Sequence, residues 1–195
     1  MALSSLAPYA MQARNADLRL EQFRRDLAKP DGVPGEPRLA RGAVTVRWEG
    51  PDGYWASDDP ALVDVDLVHE WISRESYWAK NRSRDVMGRS IENSLVLGLY
   101  TASGEQVGFA RFVTDRATFA WLCDVFVAAG HRGSGAGSFL VQASVEHPDV
   151  ADVRQLLMAH PGRSLYRRHG FGDLLQPERW MERPEQPTGG RASAG

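Results

Sequence analysis

A chain of 195 residues, 43% hydrophobic and 25% charged, has room for one ordinary globular domain with an appendage. Its net charge of −2 excludes a surface that is basic overall, and its single cysteine, Cys123, excludes an internal disulfide and a multi-cysteine zinc site. No apolar run is long enough for a membrane helix, and no basic segment precedes the apolar N-terminal stretch as in a signal peptide. A cytoplasmic protein with no nucleic-acid or membrane partner is expected. Of the 23 basic residues 21 are Arg, a skew attributed mainly to codon bias, although Arg is the better bidentate phosphate ligand.

The chain reads as a 1–40 extension, a 41–183 domain and a 184–195 tail. In the extension, residues 11–28 have helical spacing at Leu20, Phe23 and Leu27, and the run KPDGVPGEP then breaks regular structure. The extension is read as disordered or docking, and the tail PEQPTGGRASAG as disordered. In the domain, Ala43–Glu49 alternates as a strand. Leu62–Ser73 and Arg84–Asn93 follow as helices. Ser94–Thr101, Gln106–Thr114 and Thr118–Ala128 are strands, the last two joined by a short antiparallel link. Gly130–Gly137 is a glycine-rich loop. Ser138–Glu146 is a helix, Val153–Ala159 a strand, Pro161–His169 a helix ended by Gly170, and Phe171–Met181 a final strand or pair. The order predicts an α+β fold: a mixed, mainly antiparallel central sheet flanked by helices, with one right-handed crossover in its second half.

The segment Asp124–Gly137 carries the chemistry. A strand runs into glycines, and the glycines open a helix. Glycine permits positive φ and lets a ligand approach the backbone. The helix start adds free N–H groups and a positive dipole end, which together suit a pyrophosphate. A P-loop needs Gly-Lys-Ser/Thr, and no Lys follows here. A dinucleotide fingerprint needs a third glycine at 138, where Ser stands, and a parallel unit before the loop. The pattern R-x-x-G-x-G is met by Arg132, Gly135 and Gly137.

That loop resembles the pyrophosphate loop of the GNAT superfamily of acyl-CoA-dependent N-acyltransferases. The segment Val125-Phe126-Val127 before it, and the later Leu165-Tyr166-Arg167-Arg168-His169-Gly170-Phe171, are similar to that superfamily's fourth-strand end and its Tyr-x-x-x-Gly-Phe signature. The stretches GFARFVTD, ATFAWLCDVFV and HRGSGAG, with Tyr77-Trp78-Ala79 and Pro177–Glu182, resemble one small bacterial branch without a settled substrate. The resemblance covers about residues 43–183.

The resemblance implies a splay between the fourth and fifth strands and direct acetyl transfer from acetyl-CoA to a primary amine of a small molecule or peptide in a ternary complex. It implies that the backbone of Arg132, Gly133, Ser134, Gly135, Ala136 and Gly137 cradles the CoA pyrophosphate, with Arg132 adding a charged contact. Val125, Phe126 and Val127 would pair with the pantetheine amides and polarise the thioester carbonyl. Tyr166 matches the tyrosine that acts as general acid for the departing thiolate in many members. Its alternative is a structural helix tyrosine.

The base has no motif. Asp124 is a candidate because an acid inside an apolar strand must be paired or functional. An ion pair with Arg111 on the adjacent strand is the alternative. Glu75, Asp115 and a water chain are others. Trp78 is read as a substrate-binding wall or, with Trp71 and Tyr77, as core. The histidines lack ligand spacing, so no metal is expected. Ahead of Tyr166, Ala159–Ser164 departs from the branch's Thr-x-Asp-Ala-His-Gly, which keeps a second reading open: a catalytically reduced CoA-binding module with regulatory or interaction roles. A homodimer is also left open.

Overall fold

The computed structural model describes residues 45–159 and 162–184. The helix expected over 11–28 and most of the tail lie outside the described residues. Six strands form one sheet in sequential order: β1 (Arg47–Glu49), β2 (Trp55–Ser57), β3 (Leu95–Tyr100), β4 (Gln106–Thr114), β5 (Phe119–Val127) and β6 (Arg154–Leu157). Every neighbouring pair is antiparallel except β5–β6, which is parallel. This is the mixed, mainly antiparallel sheet expected from the sequence.

Strand β2 was not expected. It pairs with β1 through a turn over Pro51–Gly53, in which Gly50 N–H donates to Tyr54 O at 2.7 Å. A three-residue strand is too short to show a period, but Pro51-Asp52-Gly53 is a turn signal that marks the hairpin. The strand expected over Phe171–Met181 is absent among the described residues. That segment holds one 3-10 turn at Pro177–Arg179, and Leu175 and Met181 stay 88% and 97% exposed, with no strand beside them to bury one face. The strand expected in sequence as the fourth is therefore β5.

Four helices flank the sheet: α1 (Val65–Glu70), α2 (Arg84–Glu92), α3 (Ala136–Val145) and α4 (Arg163–Arg168). The first starts later than its hydrophobic period suggests, because Asp64 caps it by accepting from the N–H groups of Asp66 and Leu67. It continues into one π turn over Trp71–Glu75. Ser83 caps α2 by accepting from Val86 N–H. The link between β4 and β5 is held by Asp115, whose carboxylate accepts from the N–H groups of Ala117, Thr118 and Phe119 and from the Thr118 hydroxyl. Those bonds hold its carboxyl below the usual range.

The core has two layers. Leu95, Leu97, Leu99, Phe112, Ala120 and Leu122 pack with Ala136, Leu140 and Ala143 of α3. Val96, Phe109 and Phe126 pack with Val68, Trp71 and Ile72 and with Met87 and Ile91 of α2. Leu122 and Phe126 belong to opposite layers although both are even-numbered positions of β5. A bulge causes the reversal. Phe109 pairs with Phe126 and Arg111 with Cys123, so Asp124 and Val125 share the place opposite Ala110. An extra residue moves every later side chain to the other face and bends the strand.

Candidate active site

The bulge positions the site. Asp124 takes φ 51°, in the left-handed region, which Asp and Asn tolerate better than most residues. Beyond it the strand diverges from its neighbour: β5 pairs with β6 only from Phe119 to Leu122, against Arg154 to Leu157. The half from Cys123 to Val127 keeps β4 on one side and, among the described residues, has no strand on the other. A free edge of this kind offers a row of unpaired N–H and C=O groups.

The free half leads into the glycine loop. Gly133 and Gly135 adopt φ 82° and 91°, and a Cβ at either would meet nothing within 4 Å. Gly135 is the N-cap of α3 and provides no side-chain cap. Helix α3 begins at Ala136, two residues earlier than expected, so Ala136 and Gly137 form its first turn. The N–H groups of Gly133, Ser134, Gly135, Gly137 and Ser138 donate to nothing among the described residues. The loop is fixed from both sides. The Tyr54 hydroxyl meets His131 Nδ1 at 2.8 Å, and Ser134 Oγ donates to His131 O at 2.8 Å. Ser138 Oγ meets His169 Nε2 at 2.9 Å, tying the start of α3 to the end of α4. Burial beside Arg168 holds His169 below its ordinary pKa and favours the neutral ring there. Arg132 donates through Nε to Val127 O at 2.7 Å and lies over the Phe126 ring. It thereby secures the end of β5.

Asp124 lies under the segment between α1 and α2. Its Oδ2 accepts from Arg111 Nε at 2.6 Å and Arg82 Nη1 at 2.7 Å, and its Oδ1 accepts from Trp78 Nε1 at 3.1 Å. The side chain is 2% exposed. Burial alone would raise its carboxyl, but Arg111 and Arg82 together hold it below the ordinary 3.8. The ion pair with Arg111, one of the two sequence readings, is present. Arg82 is the partner sequence reasoning missed, since no local pattern links it to a strand 42 residues away. Trp78 is 44% exposed with its ring edge-on to Tyr77, so it is neither core nor detached. Cys123 is a free thiol pushed up to about 11 by burial, consistent with an inert residue.

Tyr166 lies on α4 and lines a cavity of about 580 Å³ with Leu157, Met158, Arg163 and Phe171. Burial, with Tyr77 beside it, pushes its phenol above 10. Its hydroxyl has no hydrogen-bond partner among the described residues, so it is a protonated donor at neutral pH. In the departing segment Ala159–Ser164, residues 160 and 161 lie outside the described residues, and Arg163 pairs with Asp173, as does Arg167.

Comparison with known proteins gives these features a family. A model described as an acetyltransferase (GNAT) domain matches residues 92–172, which contain both the loop and Tyr166. A GNAT-family acetyltransferase candidate from Xanthomonas campestris pv. campestris, known from its crystal structure, is 39% identical. The match covers 68% of this chain and 93% of that one, with a TM-score of 0.65. The chain belongs to the GNAT family. A candidate acetyltransferase of Gibberella zeae is 31% identical over 107 residues, 46% of this chain. The chain spans 60% of the length of that curated relative. An acetyltransferase of Clostridium acetobutylicum solved with acetyl-CoA, 14% identical, shares the fold at a TM-score of 0.50 over 67% of this chain and 94% of that one.

The GNAT match begins at Glu92, so β1, β2 and the whole of α1 precede it. Trp78 and Arg82, the side chains that α1 and α2 bring to Asp124, also lie outside it. Among the described residues of this GNAT chain, no group of three or more His, Cys, Asp or Glu could hold a metal, and no helix is long and apolar enough to cross a membrane.

Proposed function

We propose that this chain transfers an acetyl group from acetyl-CoA to a primary amine of a small molecule or peptide, by direct attack in a ternary complex. The observation that carries the reading is the half-paired strand: β5 loses β6 after Leu122 and leads into a loop whose N–H groups have no partner among the described residues. A free strand edge suits a ligand with amides along its length. The N–H groups of Gly133, Ser134, Gly135, Gly137 and Ser138, at a helix start with open space above the glycines, suit a pyrophosphate. The donor set therefore fits CoA, with Arg132 and Ala136 completing the cradle. When bound, acetyl-CoA supplies an activated acyl thioester.

This chain's residues do the rest. The backbone of Val125, Phe126 and Val127 pairs with the ligand's amides and offers an N–H to the thioester carbonyl. Tyr166 donates its proton to the departing thiolate. Trp78 walls the acceptor side. Asp124 has no base role in this reading, because both of its oxygens are occupied and two guanidiniums depress its basicity. The acceptor's proton leaves through water.

Thiol release from acetyl-CoA, measured across a panel of amines, tests the proposal. Turnover with at least one amine is expected. Tight CoA binding with no turnover on any amine would replace it with the CoA-binding module.

A further inference from the structure

The cluster at Asp124 carries one charge too many. Two guanidiniums share one carboxylate oxygen, which leaves a net positive charge. The side chains are 23% exposed for Arg82, 11% for Arg111 and 2% for Asp124. Charges this sheltered are paired in stable proteins. Three acids on α1 and α2 are committed elsewhere: Asp66 to Arg84, Glu70 to Arg74 and Asp85 to Arg89. Arg111 spends a further N–H on Ser94 Oγ, and Arg82 Nη1 also approaches Met87 Sδ at 3.9 Å. Among the described residues, Arg82 Nε and Nη2 and Arg111 Nη2 have no partner. The one other group on the carboxylate is the indole of Trp78, whose ring is 44% exposed. The unspent donors belong to side chains held on Asp124, a residue in the half of β5 beyond its pairing with β6.

We infer that Arg82, backed by Arg111, is a binding site for a carboxylate carried by the acceptor amine. The acceptor class is then an amino acid or a close analogue with amine and carboxylate on one small skeleton. This rests on the acetyl-transfer reading and narrows its acceptor. A guanidinium suits a carboxylate because its fork can donate two parallel bonds.

The test compares L-amino acids with their α-carboxamides, which keep the amine and remove the charge. In thiol-release assays kcat/KM should fall at least about tenfold from acid to amide. Arg82→Gln should bring the acid-to-amide ratio close to one, and Arg82→Lys should restore part of it. Equal rates for acid and amide with the wild-type protein would overturn the inference. Calorimetry of the CoA-loaded wild-type protein with the same ligands gives a readout without turnover and without a variant that must fold. Tighter binding of the acid supports the carboxylate site, and equal binding overturns it. If no amine is turned over, the acetyl-transfer reading fails and the calorimetric comparison alone decides the site.

Discussion

Asp124 has two duties that substitution can separate: it bends β5 through a left-handed backbone, and it holds two arginines and a tryptophan. Asn keeps the first duty and loses the charge. Asp124→Asn is expected to cost about 3 kcal/mol in urea unfolding at pH 7, the cost of breaking a buried pair. Its folded carboxyl sits below the unfolded value of 3.8, so its stabilisation is full above that value. It is lost as pH falls through the lower folded value, so the gap between wild type and variant should close in acid. Tyr166 makes the opposite prediction, on rate and not on stability. Tyr166→Phe should leave unfolding unchanged and lower kcat by about 100-fold. Because burial keeps the phenol above 10, the wild-type rate should show no loss from this group until pH exceeds 10.

At the scale of elements, the glycine loop works through backbone conformation. Gly135 stands at φ 91° with open space where a side chain would go. Gly135→Ala should cost about 1–2 kcal/mol in stability for the left-handed conformation. The methyl would also project where a pyrophosphate must approach, so calorimetry should show CoA affinity lower by about tenfold or more. This element was legible because glycine spacing reports directly on backbone freedom. Strand β4, Gln106–Thr114, was also legible, because its hydrophobic run is bounded by turn signals. The bulge was not, since it depends on pairing with β4 and leaves no local mark in ATFAWLCDVFV. Strand β2 and the unpaired Phe171–Met181 were misread for one reason: a strand needs a partner, and the residues themselves do not show whether one is present.

For the whole molecule, two core layers clamp a sheet of which one strand is half released. The order of elements from α1 to α4 and the crossover could be read along the sequence, because each follows from neighbouring residues, whereas the splay was implied by the family resemblance alone. The Arg82–Asp124–Arg111 cluster could be read only in part, because its members come from two strands and the linker ahead of α2. A ligand that bridges the free half of β5 and the start of α3 joins parts of both layers, so it should act on global stability. At a CoA concentration about 100 times Kd, unfolding should cost about 2.7 kcal/mol more, seen as a higher melting temperature.

The half-paired strand also makes β5 its own timekeeper. Amides locked between two strands exchange with deuterated water only when the sheet opens, whereas those of Cys123–Val127 that point away from β4 have no strand partner among the described residues and exchange faster. One strand therefore contains a slow half and a fast half. Slowing of the fast half on addition of CoA would report occupancy of the edge without an acceptor, a turnover or a label, and unchanged exchange would place the ligand elsewhere.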